Sequence, residues 1–151
     1  TSLILLLFCW FGSALAQPKT HTWEQIDSLQ NIQKRKIIVF IHTDWCQFCQ
    51  AMKSQTFQNK HVIQQLNNTF YFIDFNAEEK RTIGFNKQQF AFKPSGTTSG
   101  VHELAVQLGT INNQLNYPVL CLLNEQYEII FQYAGFLNAK DFKLLLEKID
   151  N

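Results

Sequence analysis

Ile37-Ile38-Val39-Phe40-Ile41 runs through His42 and Thr43 into Asp44-Trp45-Cys46-Gln47-Phe48-Cys49. No other stretch narrows the possible folds as far. The apolar run, Lys36 to His42 with its flanks, has β-branched residues on both faces, as expected of a strand covered from both sides. The cysteines then open a helix expected from Cys46 or Gln47 to about Gln55. A covered strand that feeds a helix commits the chain to layered α/β packing. The junction also has a chemistry. Unpaired N–H groups and the macrodipole at a helix start favour a thiolate on the first cysteine. A thiolate is the species that attacks a disulfide. The two-residue gap lets the second thiol return to the first, so the pattern predicts a reversible dithiol.

The flanking sequence sets the compartment. Leu3 to Phe11 is apolar, and Ala14-Leu15-Ala16 has the small-x-small form of a cleavage site before Gln17. Residues 1–16 therefore read as a secretory signal, and the product as periplasmic or secreted after cleavage near Ala16. A membrane anchor is the rival reading. Spanning a bilayer takes an apolar stretch of about 18 to 20 residues, and this one is shorter. Cys9 follows Leu7-Phe8, with no small residue to suggest a lipoprotein site, and would leave with the signal. Residues 17–151 suit one domain that buries its core without staples. Oxidising compartments fill small domains with structural disulfides. Here Cys46 and Cys49 are the only close pair left, so the bridge reads as chemistry. Cys121, inside Val119-Leu120-Cys121-Leu122-Leu123, reads as a small hydrophobe on a buried strand.

A net charge of +1 offers no field for nucleic acid. The one basic run, Lys34-Arg35-Lys36, reads as the last turn of a helix, where cations suit the dipole. That helix opens on the capping box Thr22-Trp23-Glu24-Gln25 and extends to about Arg35. Asn59 caps a further turn or two carrying Val62, Ile63 and Leu66. Phe70-Tyr71-Phe72-Ile73-Asp74-Phe75 is the next strand. Within 77–100, Thr82 to Phe85 and Phe90 to Phe92 pair as a hairpin across Asn86-Lys87-Gln88, and Pro94 to Gly100 is a loop. That loop lacks the Gly-Lys-Ser/Thr ending of a phosphate loop. Val101, Leu104, Ala105 and Leu108 mark a short helix ending near Gly109. Strands Val119 to Leu123 and Glu128 to Tyr133 follow, and Asn138 caps a last helix with Phe142, Leu145, Leu146 and Ile149 on one face. The order α-β-α-β-insert-α-β-β-α requires a parallel pair and a hairpin in one mixed sheet, with helices on both faces.

This order, with Trp45-Cys46-x-x-Cys49 after the first strand and Tyr117-Pro118 before the third, resembles the thioredoxin fold over roughly residues 20–150. The stretch 77–100 is then an insertion between the second core strand and the following helix. Asp44-Trp45-Cys46-x-x-Cys49 followed by Met52, Thr56-Phe57 and Val62 is similar to thioredoxin-related periplasmic domains, among them the C-terminal domain of the reductase DsbD. The resemblance implies that Cys46 is the nucleophile and Cys49 the resolving thiol. Trp45 would shield them, and Pro118 would be a cis-proline that turns the backbone of Tyr117 toward an extended client strand. On the residues alone, Pro118 reads as an ordinary trans-proline opening a strand.

Two departures from the family pattern stand out. The strand position where thioredoxins carry a buried acid is Phe40, and the helix position of another acid in the DsbD-like domains is Lys53. Proton transfer for Cys49 then falls to water, Asp44 or His42, which shares a strand face with Phe40. His42 reads equally as a hydrogen-bonded strand-end histidine. The dipeptide between the cysteines, Gln47-Phe48, carries no charge, so it does not stabilise the thiolate as a histidine would. Lys53 supplies some positive potential or is simply solvated. Phe48 reads as an apolar contact for a client.

The reading is an extracytoplasmic thiol–disulfide oxidoreductase that reduces or isomerises client disulfides. It needs no cofactor or metal beyond Cys46 and Cys49. It would be a monomer, its partners being client proteins with disulfides or thiols and a membrane or soluble thiol electron donor. Two rivals remain. One is a binding module that holds a partner through 77–100. The other is a metal site of Cys46 and Cys49 with His42 or His61, although a closed zinc site takes four ligands and no second cluster accompanies the pair. His102-Glu103 lacks the second histidine of a metalloprotease motif and reads as helix surface.

Overall fold

Strand β1 (Ile37–His42) is buried along its whole length, because it has a strand on either side and helices over both faces. The computed structural model describes residues 17–150; the secretory signal expected over 1–16, Cys9 included, lies outside them. Among the described residues no helix is long and apolar enough to cross a membrane.

Helix α1 (Trp23–Ile32) precedes β1, and α2 (Gln47–Ser54) follows it. A short 3₁₀ turn (Thr56–Gln58) and α3 (Lys60–Thr69) lead to β2 (Tyr71–Asn76). The later core elements, which follow four short strands of the insertion, are α4 (Glu103–Gly109), β7 (Val119–Leu123), β8 (Ile129–Ala134) and α5 (Ala139–Asp150). The sheet order is β2-β1-β7-β8. β1 and β2 are parallel, with Phe40 beside Asp74, and β1–β7 and β7–β8 are antiparallel. This is the mixed sheet with helices on both faces that the element order predicts.

Alternation along β1 divides the core in two. Ile37, Val39 and Ile41 pack with Trp23 and Ile26 of α1 and Leu104 and Leu108 of α4. Ile38 and Phe40 pack with Met52, Leu66, Phe142 and Leu146 of α2, α3 and α5, and both site cysteines belong to this second layer. The helix starts carry the expected caps. Gln25 Oε1 accepts from Thr22 N at 3.0 Å, and Asn59 Oδ1 accepts from His61 N and Val62 N at 3.0 and 3.3 Å.

The basic run does not end α1. That helix stops at Ile32 because the Gln30 amide grips the Arg35 backbone from both sides, donating to its carbonyl at 2.7 Å and accepting from its N–H at 2.9 Å. The cations still reach helix ends, but those of other helices. Arg35 donates to the Asn67 carbonyl near the end of α3 at 3.0 Å, and Lys36 to the Ile149 carbonyl of α5 at 2.6 Å.

The insertion is two hairpins rather than one. β3 (Ile83–Phe85) pairs with β4 (Gln88–Phe90), so Gln88 belongs to a strand and the turn is Asn86-Lys87. Both turn residues have positive φ, as a two-residue hairpin connection requires. β5 (Phe92–Pro94) pairs with β6 (Gly100–His102), so the loop shrinks to 95–99 and Val101 is a strand residue instead of the start of α4. Gly100 is required there, since a Cβ would collide with the Phe92 ring and the Lys93 carbonyl. Ile83, Phe85 and Phe90 join the α1 side of the core. Ala77 N donates to the His42 carbonyl and His102 N to the Ala77 carbonyl, each at 2.7 Å, which ties the insertion to the end of β1.

Phe142 anchors α5 against this second core layer and is 1 % exposed. Phe142→Ala is expected to cost about 3 to 5 kcal/mol, read as a lowered urea midpoint with native-like secondary structure retained.

Candidate active site

The backbone turns at the end of β1, with Cys46 N donating to the Thr43 carbonyl at 3.4 Å, and Cys46 becomes the N-cap of α2. Its Sγ accepts from Cys49 N at 3.1 Å. A disulfide joins Cys46 and Cys49, whose Cα atoms are 5.2 Å apart. When the bridge is open, the same N–H and the helix N-terminus favour negative charge on the Cys46 sulfur. Cys46 is 6 % exposed and Cys49 is fully buried, so an incoming sulfur reaches Cys46 first.

Aromatic side chains surround this opening. Trp45 and Phe48 are both 66 % exposed. The Trp45 indole N–H donates to Glu78 at 3.2 Å, and its ring meets Tyr117 edge-on at 5.9 Å. Phe48 lies 6.4 Å from the Phe136 ring. The Tyr117–Pro118 peptide is cis, and the Pro118 carbonyl accepts from Gly135 N at 2.9 Å. Burial, with Glu78 adding to it, pushes the Tyr117 hydroxyl up to about 12, so it stays protonated. Gln47 is exposed on the first turn of α2. Asp44 is exposed as well, and its carboxylate accepts from Asn76 at 3.1 Å.

His42 is buried at the end of β1. Its Nε2 is 2.7 Å from Asp74 Oδ1, and Lys53 Nζ is 2.9 Å from Asp74 Oδ2 and 3.1 Å from that Nε2. Lys53 is therefore neither free potential nor simply solvated, because its charge is matched by Asp74. Burial raises the pKa of Asp74, but His42 and then Lys53 outweigh it and hold the carboxyl below its ordinary value. Residue-by-residue reading of the sequence passed over Asp74. Its signal was there, a lone charge inside the apolar run Phe72-Ile73-Asp74-Phe75, at the register position beside Phe40. Glu78 was missed too, since nothing local in the sequence links it to Trp45.

Other candidates fall away from the site. His102 is fully buried rather than on a helix surface. It caps α4 by accepting from Leu104 N at 3.2 Å, and its other nitrogen meets the Arg81 carbonyl at 3.0 Å. His61 is exposed on α3. Among the described residues, no group of three or more His, Cys, Asp or Glu side chains is placed to hold a metal ion. Cys121 is buried in β7, which pushes its thiol up to about 12 and makes it a poor nucleophile.

Residues 24–150 match the family model of the thioredoxin-like domain. The chain belongs to the thioredoxin-like family. Solved structures repeat the fold at low identity. A thioredoxin from Thermus thermophilus superposes with a TM-score of 0.61 at 16% identity, covering 89% of this chain and 88% of that one. A disulphide isomerase from Xylella fastidiosa gives 0.57 at 14% identity, covering 91% and 100%. The DsbD C-terminal domain of Neisseria meningitidis, in its reduced form, gives 0.53 at 16% identity, covering 83% and 90%. No curated protein matches the sequence significantly.

Two measurements check this electrostatic picture. Because Asp74 has a depressed pKa, its stabilisation is full above the unfolded carboxylate value and is lost as pH falls through the folded one. Asp74→Asn should therefore flatten the fall in stability seen below about pH 4 in urea titrations of the parent protein. After reduction under native conditions, iodoacetamide should label Cys46 rapidly and leave Cys121 unlabelled until urea is added, as peptide mass spectrometry would report.

Proposed function

We propose that this protein is an exported thiol–disulfide oxidoreductase that reduces or isomerises disulfides in client proteins. The observation that carries the reading is the Cys46–Cys49 bridge across the N-cap of α2, with one sulfur reachable and the other buried. In the reducing direction, the Cys46 thiolate attacks a client disulfide and one client sulfur leaves. Cys49 then attacks Cys46, and the client departs as a dithiol. The oxidised pair is reset by a membrane or soluble thiol donor. The exposed rings of Trp45 and Phe48, with Tyr117 beside them, offer an apolar seat for the chain flanking a client cysteine.

Charge supports the reducing or isomerising direction. Gln47 and Phe48 carry none, and the Lys53 charge is matched by Asp74. Little beyond the helix start then stabilises the thiolate, which supports a reducing to intermediate potential. Export rests on the signal-like sequence of residues 1–16. The near-neutral net charge supports protein clients over nucleic acid. We propose that the domain acts as a monomer and needs no cofactor.

Reduction of insulin by thiol-fed protein tests the assignment. Cys46→Ser should abolish turnover, and Cys121→Ala should leave it nearly intact. Retained turnover in Cys46→Ser would overturn the mechanism. A redox titration against glutathione and dithiothreitol buffers, followed by thiol alkylation, should show one two-electron transition at a thioredoxin-like potential. A far more oxidising transition would instead indicate a disulfide donor.

A further inference from the structure

Away from the catalytic opening, β8 is the last strand of the sheet and exposes Ile129, Ile130 and Tyr133. Among the described residues nothing pairs with its outer edge. Gly135 N donates to the Pro118 carbonyl, and the register sets Ala134 beside Val119 and Gln132 beside Cys121. Gln132 and Ala134 therefore occupy the non-bonded positions of the β7 ladder and turn their own N–H and C=O groups outward. Edge strands are usually guarded by a charge or a proline. Ile129–Ala134 contains neither. Its one irregularity, a register shift opposite Leu122 and Leu123, leaves Phe131 to Ala134 regular. A groove of about 260 Å³ lies between this strand and α5, lined by Leu122, Ile130, Phe131, Leu145, Lys148 and Ile149. Apart from Lys148, its walls are apolar.

Two observations choose the occupant of this surface. The strand is continuous with the catalytic rim, because β8 ends at Ala134 and Phe136, just beyond it, lies beside Phe48. Its six residues also fall well short of the ~20 to 30 a side found in a stable interface. The edge therefore suits a transient ligand over a permanent second subunit. Resting on the oxidoreductase reading above, we propose that β8 and its groove hold an extended apolar segment of an incompletely folded client, added to the sheet as a further strand. Main-chain bonds to Gln132 and Ala134 accept any sequence, and the groove selects apolar side chains at alternate positions. Folded chains bury such segments, whereas chains that have not completed folding expose them. At ~3.3 Å per residue, the strand from Ile130 to Gly135 spans ~17 Å. A client cysteine at Cys46 and an apolar segment about six or more extended residues away then engage together, which raises the local concentration of the client disulfide.

Two disulfides of different reach separate docking from chemistry. Scrambled ribonuclease A is an incompletely folded client, whereas 5,5′-dithiobis(2-nitrobenzoate) reacts at Cys46 and is too small to touch β8 at the same time. Ile130→Lys places a charge at the groove. It should raise KM for scrambled ribonuclease A by ~10-fold, with kcat unchanged and the rate with the small disulfide at the parent value. Ala134→Pro removes an outward N–H and no bond to β7, so it should raise the same KM and also serves if Ile130→Lys does not fold. With the Cys46–Cys49 bridge closed in the parent protein, reduced and carboxymethylated ribonuclease A should shift the amide NMR signals of Gln132 and Ala134. An unchanged KM in both variants, or equal slowing with both disulfides, would overturn the docking site. So would a parent dimer in sedimentation that Ile130→Lys splits, because the occupant would then be a second copy. Failure of the parent protein to reduce either disulfide would instead defeat the oxidoreductase reading, and the NMR shifts would still decide the docking site.

Discussion

Everything at the site depends on β1 being buried from end to end. Hydrogen bonding to β2 on one side and β7 on the other fixes the strand laterally, and helix layers fix it above and below. Its last residue therefore has one position, and the turn that follows delivers Cys46 to the start of α2 each time the chain folds. A cysteine on a mobile loop could form the same bond. It would not hold its sulfur against the N–H of Cys49, and so would gain no preference for the thiolate.

The same strand assigns different work to its two faces. The α1 side holds a closed apolar layer that the insertion completes with Ile83, Phe85 and Phe90. The α2 side holds both site cysteines, packed with Phe40, and a period of two along the strand puts His42 on the same face as Phe40. The insertion is thus part of the scaffold. The chain entering it also reaches the motif directly, because Asn76 at the end of β2 holds Asp44 and Glu78 holds Trp45. The aromatic rim around Cys46 is positioned from the end of β2 as much as from its own helix.

Much of the site was legible because its signals are local. The cysteine spacing, the apolar run before it and the caps at Thr22 and Asn59 each lie within a few residues, where periodicity and capping chemistry operate. The misreadings share a different cause. Lys34-Arg35-Lys36 does sit at helix ends, but those ends belong to α3 and α5, and the Gln30 grip on Arg35 ends α1 early. His102 looks like helix surface until β6 carries it beneath Phe75 and makes it a buried cap. Lys53 looks solvated until Asp74 lies beside it.

By itself the sequence determined the α/β class, the order of the core elements and the identity of the two paired cysteines, since each follows from neighbours along the chain. Only the tertiary structure decided which sulfur is reachable, what holds Trp45, and that His42, Lys53 and Asp74 form one cluster. Those facts depend on strand register and on helices crossing the sheet. Register pairs residues such as Phe40 and Asp74 that are remote in sequence, so no local pattern can announce them.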